Sequence, residues 1–276
     1  MIQLGMVRWQ TVVGAAAAYL TVAWLSIILI DVIDVAGLRS TLGRDDGAPL
    51  WVHLFGEGSI TEILQWTVLG LVALVVSQAA GALRAPSEWR ERRFLSLLGL
   101  GVVLMLIEDA GNPSHRVARY VRDFLGEGSY LIELLSRLPV LLLVGGVPLY
   151  AFARYWWPAV RGRPGGGLLL SGLIAYGIAA FSSVPANILF NFYPRAGRWV
   201  TESLFGGRLQ PLEQTAPWQL RFSAEEFTGT VFMDYVYEES IELIGVTFLL
   251  AGSLALSRFL AQSSAQPKEE EIDRNR

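Results

Sequence analysis

Six carboxylates fall where apolar runs of this chain would cross a membrane: Glu62, Glu108, Asp109, Glu133, Glu238 and Glu242. Such groups, if convergent, can hold a hard cation such as Mg²⁺, Ca²⁺ or Mn²⁺, carry protons, or pair with a base. There is no cysteine among the 276 residues, which excludes Fe–S clusters, disulfides and thiolate nucleophiles and disfavours copper. Lys268 is the only lysine and sits in a polar tail, so no embedded lysine can form a retinal Schiff base. His53 and His115 make no HExxH pair and fall in outer segments rather than on facing spans, so neither a zinc motif nor bis-histidine haem is expected. Missing Glu-x-x-His pairs argue against a ferritin-like di-iron bundle. If an inorganic ion binds, a divalent cation is the expected one.

Cationic groups lie close by in sequence. Arg137 falls one helical turn from Glu133, within reach of an acid on a neighbouring helix. Asn112-Pro113 reads as the start of a short helix, with Asn112 as its cap, and that helix carries Arg116, Arg119 and Arg122 near one face. Those arginines suit either a clamp for a phosphate-bearing substrate or headgroup, or pairing with nearby acids and ordinary lipid phosphates. His115 is a ligand or proton carrier on one reading and a hydrogen-bonded surface residue on the other. The Gly-rich run Pro164-Gly-Gly-Gly167 follows no strand and carries no phosphate-loop lysine, so it reads as a linker.

The elements that must position these residues follow from composition. Hydrophobic residues make up 53% of the chain, charged ones 17%, and mean hydropathy is +0.42. This excludes an ordinary soluble globule, and no nucleic-acid partner is expected. Six apolar segments are expected to span, at about 11–33, 60–83, 94–112, 131–153, 167–190 and 230–258, giving an all-α polytopic bundle over residues 1–261. Residues 191–229 read as an outer loop with an interfacial helix near 196–205, and 262–276 as a disordered cytoplasmic tail. The arginine-rich linkers 84–93 and 154–163 place both termini in the cytoplasm of a bacterial inner membrane, with Trp51 and Trp199 as interfacial anchors outside. The first apolar run is long and lacks a small-residue cleavage site, so it is expected to stay as a helix.

Depth separates the acids from ordinary capping residues. Glu108 lies about 21 Å of helix beyond Arg93, roughly 9 Å short of a ~30 Å hydrocarbon thickness. Glu242 reaches a similar level in the last span, with Glu238 one turn above it. A carboxylate unpaired at the bilayer centre costs about 2.5–3.5 kcal/mol, so convergence in one outward-facing cavity is expected, with Glu62 and Glu133 at its wall. Gly56-Glu-Gly-Ser-Ile-Thr-Glu62 and Gly126-Glu-Gly-Ser-Tyr-Leu-Ile-Glu133 also look alike, and Asp31, Glu108 and Asn187 recur every 77 to 79 residues. The chain therefore reads as three copies of one helix hairpin.

The Gly-Glu-x-Ser openings, the acidic pair Glu108-Asp109 and Glu238-Glu-Ser-Ile-Glu242 together resemble a loose group of uncharacterised bacterial multi-pass membrane proteins; the resemblance implies no activity. Three functional classes are compatible with the residues: a cation-coupled transporter, a metal-dependent membrane enzyme, and a non-catalytic subunit of a membrane complex. A site for a cation or metal is the reading preferred here, with membrane lipids and other membrane subunits as partners.

Overall fold

A computed structural model describes residues 7–39, 48–125, 130–183, 191–214 and 222–265. All regular structure among them is helical: α1 (Trp9–Ser26), α2 (Leu50–Phe55), α3 (Ile60–Ala82), α4 (Trp89–Gly111), α5 (Pro113–Leu125), α6 (Tyr130–Tyr155), α7 (Gly166–Phe181), α8 (Phe192–Trp199), α9 (Ala224–Phe232) and α10 (Glu239–Ala265). Wider π-helical turns extend α1 through Ile27–Val32, α6 through Trp156–Val160 and α8 through Val200–Leu204, and Met233–Glu238 joins α9 to α10 without a break.

Among the described residues, five helical stretches are long and apolar enough to cross a membrane: Trp9–Val32, Leu50–Ala82, Pro86–Gly111, Leu134–Val160 and Ala224–Ser263. They suit a multi-pass membrane protein. The expected fifth span is represented by α7, whose 16 residues reach only about 24 Å; the rest of that expected span, 184–190, lies outside the described residues. The final helical stretch begins before residue 230. Ser223 Oγ accepts the Glu226 amide at 3.1 Å, and Glu225 and Glu226 fill the first turn, so polar residues that resembled loop instead start a helix. At the other end α10 continues through Ala265, beyond the expected boundary at 261, while 266–276 lie outside the described residues.

The bundle is built around α10, which packs against α1, α3 and α7, while α4 packs on α3 and α6 on α4. Leu69, Val72 and Val76 of α3, Phe94, Leu98 and Val102 of α4, and Val246 and Leu249 of α10 form the core. Contact between α7 and α10 is backbone to backbone. A Cβ on Gly172 would lie 2.6 Å from the Gly245 carbonyl oxygen, and one on Gly252 2.8 Å from that of Gly165. Small residues are what allow two helices to approach this closely. At the arginine-linker end, Arg163 and Glu91 pair at 2.6 Å, tying the α6–α7 connection to the start of α4.

A second apolar cluster occupies the opposite end, where Trp51, Phe55, Phe232 and Val236 are buried with Ile27. Trp51 is wholly buried and meets Phe232 edge-on at 5.5 Å, so it is a core residue and not the interfacial anchor its loop position suggested. Trp199, by contrast, is exposed.

Three turns at this end share a feature. Asp34, Asn112 and Asn191 each adopt the left-handed conformation, with φ of 56°, 48° and 49°. Asp and Asn tolerate that conformation better than other non-glycine residues. Each is followed directly by a short helical element: Val35–Gly37, α5 and α8 respectively.

Candidate functional site

A cavity of about 340 Å³ lies between α4, α6, α7 and α10, with Asn112 and His115 at its rim. Its polar end holds Glu108, Asp109, Arg137, Tyr176, Ser183, Glu238 and Glu242, and its body is lined by leucines of α6 and α7 with Met105, Gly145, Pro148 and Gly177. Beyond the expected acids the cavity has an apolar body, because α6 turns one leucine-rich stripe, from Leu134 to Leu149, towards α7.

The acids divide by what satisfies them. Glu108 accepts the Ser114 amide at 3.3 Å and so caps the start of α5. Asn112, expected as that cap, does double duty: it is the left-handed residue ending α4, its amide bonded to the Glu108 carbonyl, and its own carbonyl accepts the Arg116 amide at 3.1 Å in the first turn of α5. Glu62 also caps its own helix: its amide donates to Ser59 Oγ at 3.3 Å, and its carboxylate accepts from the Gly58 amide. Helix capping therefore accounts for some of the acids expected at depth. Asp31 works the same way on α2, accepting the Leu50 amide at 3.0 Å and the Trp51 amide at 2.9 Å.

Glu242, Asp109 and Glu239 are different. The Glu242 side chain is 7% exposed, lines the cavity, and makes no hydrogen bond or ion pair among the described residues. One carboxylate oxygen of Asp109 and one of Glu239 are likewise buried without a hydrogen-bond partner. Asp109, Glu238, Glu239 and Glu62 all lie within electrostatic range of Glu242. Glu238 accepts from the Tyr193 hydroxyl at 2.5 Å. Burial and that neighbouring carboxylate hold the Tyr193 phenol protonated, with its pKa raised.

Of the residues expected to converge, the structure brings Glu108, Asp109, Glu238 and Glu242 onto one cavity. Glu62 stands outside the lining, and Glu133 belongs to the first turn of α6 with its side chain outside the described part. Arg137, expected to face an acid, is buried, lies within electrostatic range of Asp234, and donates to His115 Nε2 at 2.8 Å and to Ser114 Oγ at 3.4 Å. Arg116, Arg119 and Arg122 are exposed on α5, line no part of the cavity, and make no ion pair among the described residues. Tyr193, Tyr176 and Ser114 were not singled out by sequence; nothing in their spacing marks them. The Leu134 to Leu149 stripe was visible as a helical period, but it reads equally as a lipid face.

Because a guanidinium only donates, His115 must present a lone pair at Nε2 and carry its proton on Nδ1. Burial, then Arg137 and Arg119, lower its pKa from 6.5 to about 4. Between those values the unfolded chain takes up a proton that the folded protein refuses, so this residue's contribution to stability is full above pH 6.5 and falls as pH drops towards 4. The ring is partly exposed, so the effect is modest. Thermal unfolding of the wild type should lose more on acidification from pH 7 to 4.5 than that of His115→Gln; parallel profiles would exclude this role.

No known protein family, curated protein or solved structure matches this chain. Function is therefore argued from the cavity.

Proposed function

We propose that this chain is a multi-pass membrane protein of six crossings, α7 being the short one, which binds a cation in the cavity between α4, α6, α7 and α10. The observation that carries this reading is Glu242: a carboxylate more than nine-tenths buried, lining the cavity, with four other acids in electrostatic range and no hydrogen bond or ion pair among the described residues. Leaving such a group uncompensated at depth costs about 2.5–3.5 kcal/mol, and a bound cation relieves that cost. Among the described residues no three His, Asp or Glu side chains converge closely enough to hold a metal ion. A cation held by charge within a cavity is therefore favoured over a chelated Mg²⁺, Ca²⁺ or Mn²⁺.

The six-crossing count and the hairpin repeat rest on the left-handed turns, since Asp34, Asn112 and Asn191 are spaced 78 and 79 residues apart. Both termini and the arginine linkers then face the cytoplasm, and the cavity's polar end faces outward. Reporter fusions at Glu88 and Val160 that score as exported would reverse this orientation.

The direct test is the melting temperature of the purified protein with Na⁺, Mg²⁺, Ca²⁺, Mn²⁺ or methylammonium. At a hundredfold excess over Kd a ligand seen only by the folded state adds about 2.7 kcal/mol, and Glu242→Gln should remove that gain. The competing reading, a structural subunit without a ligand, is favoured by the capping roles of Asp31, Glu62 and Glu108. It requires that no cation shifts the melting temperature and that Arg137→Gln is more damaging than Glu242→Gln.

A further inference from the structure

We infer that the cation is the head of an amphiphile, an ammonium group on a hydrocarbon body, and that it reaches the cavity sideways from the bilayer between α6 and α7. This rests on the cation reading above and adds the substrate class. Three observations carry it. First, the cavity is far larger than an ion needs, and away from its polar end and rim its walls are hydrocarbon, where water finds no hydrogen-bond partners. Pockets of a few hundred Å³ with a few placed polar groups are the usual form of small-molecule sites.

Second, α6 and α7 make no extensive contact with one another, since α6 packs on α4 and α5 and α7 on α10. Leu142, Leu149 and Phe181 line the cavity yet are 63%, 59% and 58% exposed, so the wall between cavity and lipid is open along these helices. Third, the charge is of one sign. Glu242 and Asp109 stand at the polar end, while Arg137, the one cationic side chain among the described lining residues, is engaged by His115 and Ser114. An anionic head would meet uncompensated carboxylates; an ammonium head would neutralise one and donate to both. Because lipid tails are themselves apolar, the body of the ligand gains little on leaving the bilayer, and selectivity must come from the head.

The test uses the full chain in phosphatidylcholine nanodiscs with radiolabelled dodecylammonium, empty discs being subtracted. Saturable binding is expected, displaced by unlabelled dodecylammonium but not by dodecyl sulfate or dodecanol, and weakened at least tenfold by Glu242→Gln. Gly177 on α7 and Gly145 on α6 line the cavity, and a Cβ at either meets nothing within 4 Å. Gly177→Phe or Gly145→Phe should therefore fill the apolar body and abolish dodecylammonium binding in protein that still gives a monodisperse peak on size exclusion. Having two variants on opposite walls covers the case in which one fails to fold. If methylammonium stabilises the protein but dodecylammonium shows no saturable binding, or dodecyl sulfate displaces it equally well, the amphiphile inference falls and the cation reading stands. If no cation stabilises the protein and Glu242→Gln changes nothing, both fall.

Discussion

Leucine at position 172 should leave no folded monomer in detergent. The Gly172 Cβ position lies 2.6 Å from the Gly245 carbonyl oxygen and 2.8 Å from the Leu249 amide nitrogen, both backbone atoms of a buried helix that cannot turn aside. Overpacking a core usually costs about 1–3 kcal/mol through shifted side chains. Here two backbones must separate along the whole α7–α10 contact, which also sets where Tyr176 stands over Glu242. Gly172→Ala should be intermediate, lowering the melting temperature while still giving a monodisperse peak on size exclusion. A Gly172→Leu protein that folds and melts like wild type would show that α7 and α10 are not in contact at this point.

The second large effect is expected at Asp31. The residue is 1% exposed, and its two carboxylate oxygens take the amides of Leu50 and Trp51 at the start of α2, the helix that carries Trp51 into the second apolar cluster. Asp31→Ala strands the buried Trp51 amide, costing about 1–3 kcal/mol, and the half-buried Leu50 amide, which takes the loss beyond the roughly 0.5–2 kcal/mol usual for a lost cap. Asp31→Asn keeps one acceptor oxygen and should cost about half as much. Chemical denaturation of the two variants, followed by the fluorescence of buried tryptophan, separates them; equal losses would mean that the charge, not the hydrogen bonds, is what matters.

Sequence alone was sufficient for the helical class and for most span positions, because runs such as Leu69 to Val76 leave few alternatives to a buried helix. It was less informative at helix ends. Ala224-Glu-Glu reads as polar loop until Ser223 is seen to cap it, and Asn112, read as a helix start, also ends the helix before it. Depth arithmetic grouped all the acids as one kind of residue. Only the structure separates Glu62 and Glu108, whose carboxylates are satisfied by backbone amides four and six residues away, from Glu242, whose carboxylate is not. Tyr193 was hidden for another reason: its partner Glu238 is 45 residues distant, and no local pattern encodes a contact of that range.

The π-helical turn Met233–Glu238 sets the azimuth of everything before it. Such a turn holds one residue more than the α-helical path would use, and one residue corresponds to about 100° of rotation. Removing a single residue there would let α9 run into α10 as ordinary helix. Phe232 and Gly229, which seat α9 against Trp51 and Gly197, would then be swung round relative to Glu242, and one of the two helices would have to abandon its neighbours. The outer end and the cavity are thus locked in phase by one surplus residue, and a chain lacking it could keep the aromatic cluster or the orientation of its carboxylates, but not both.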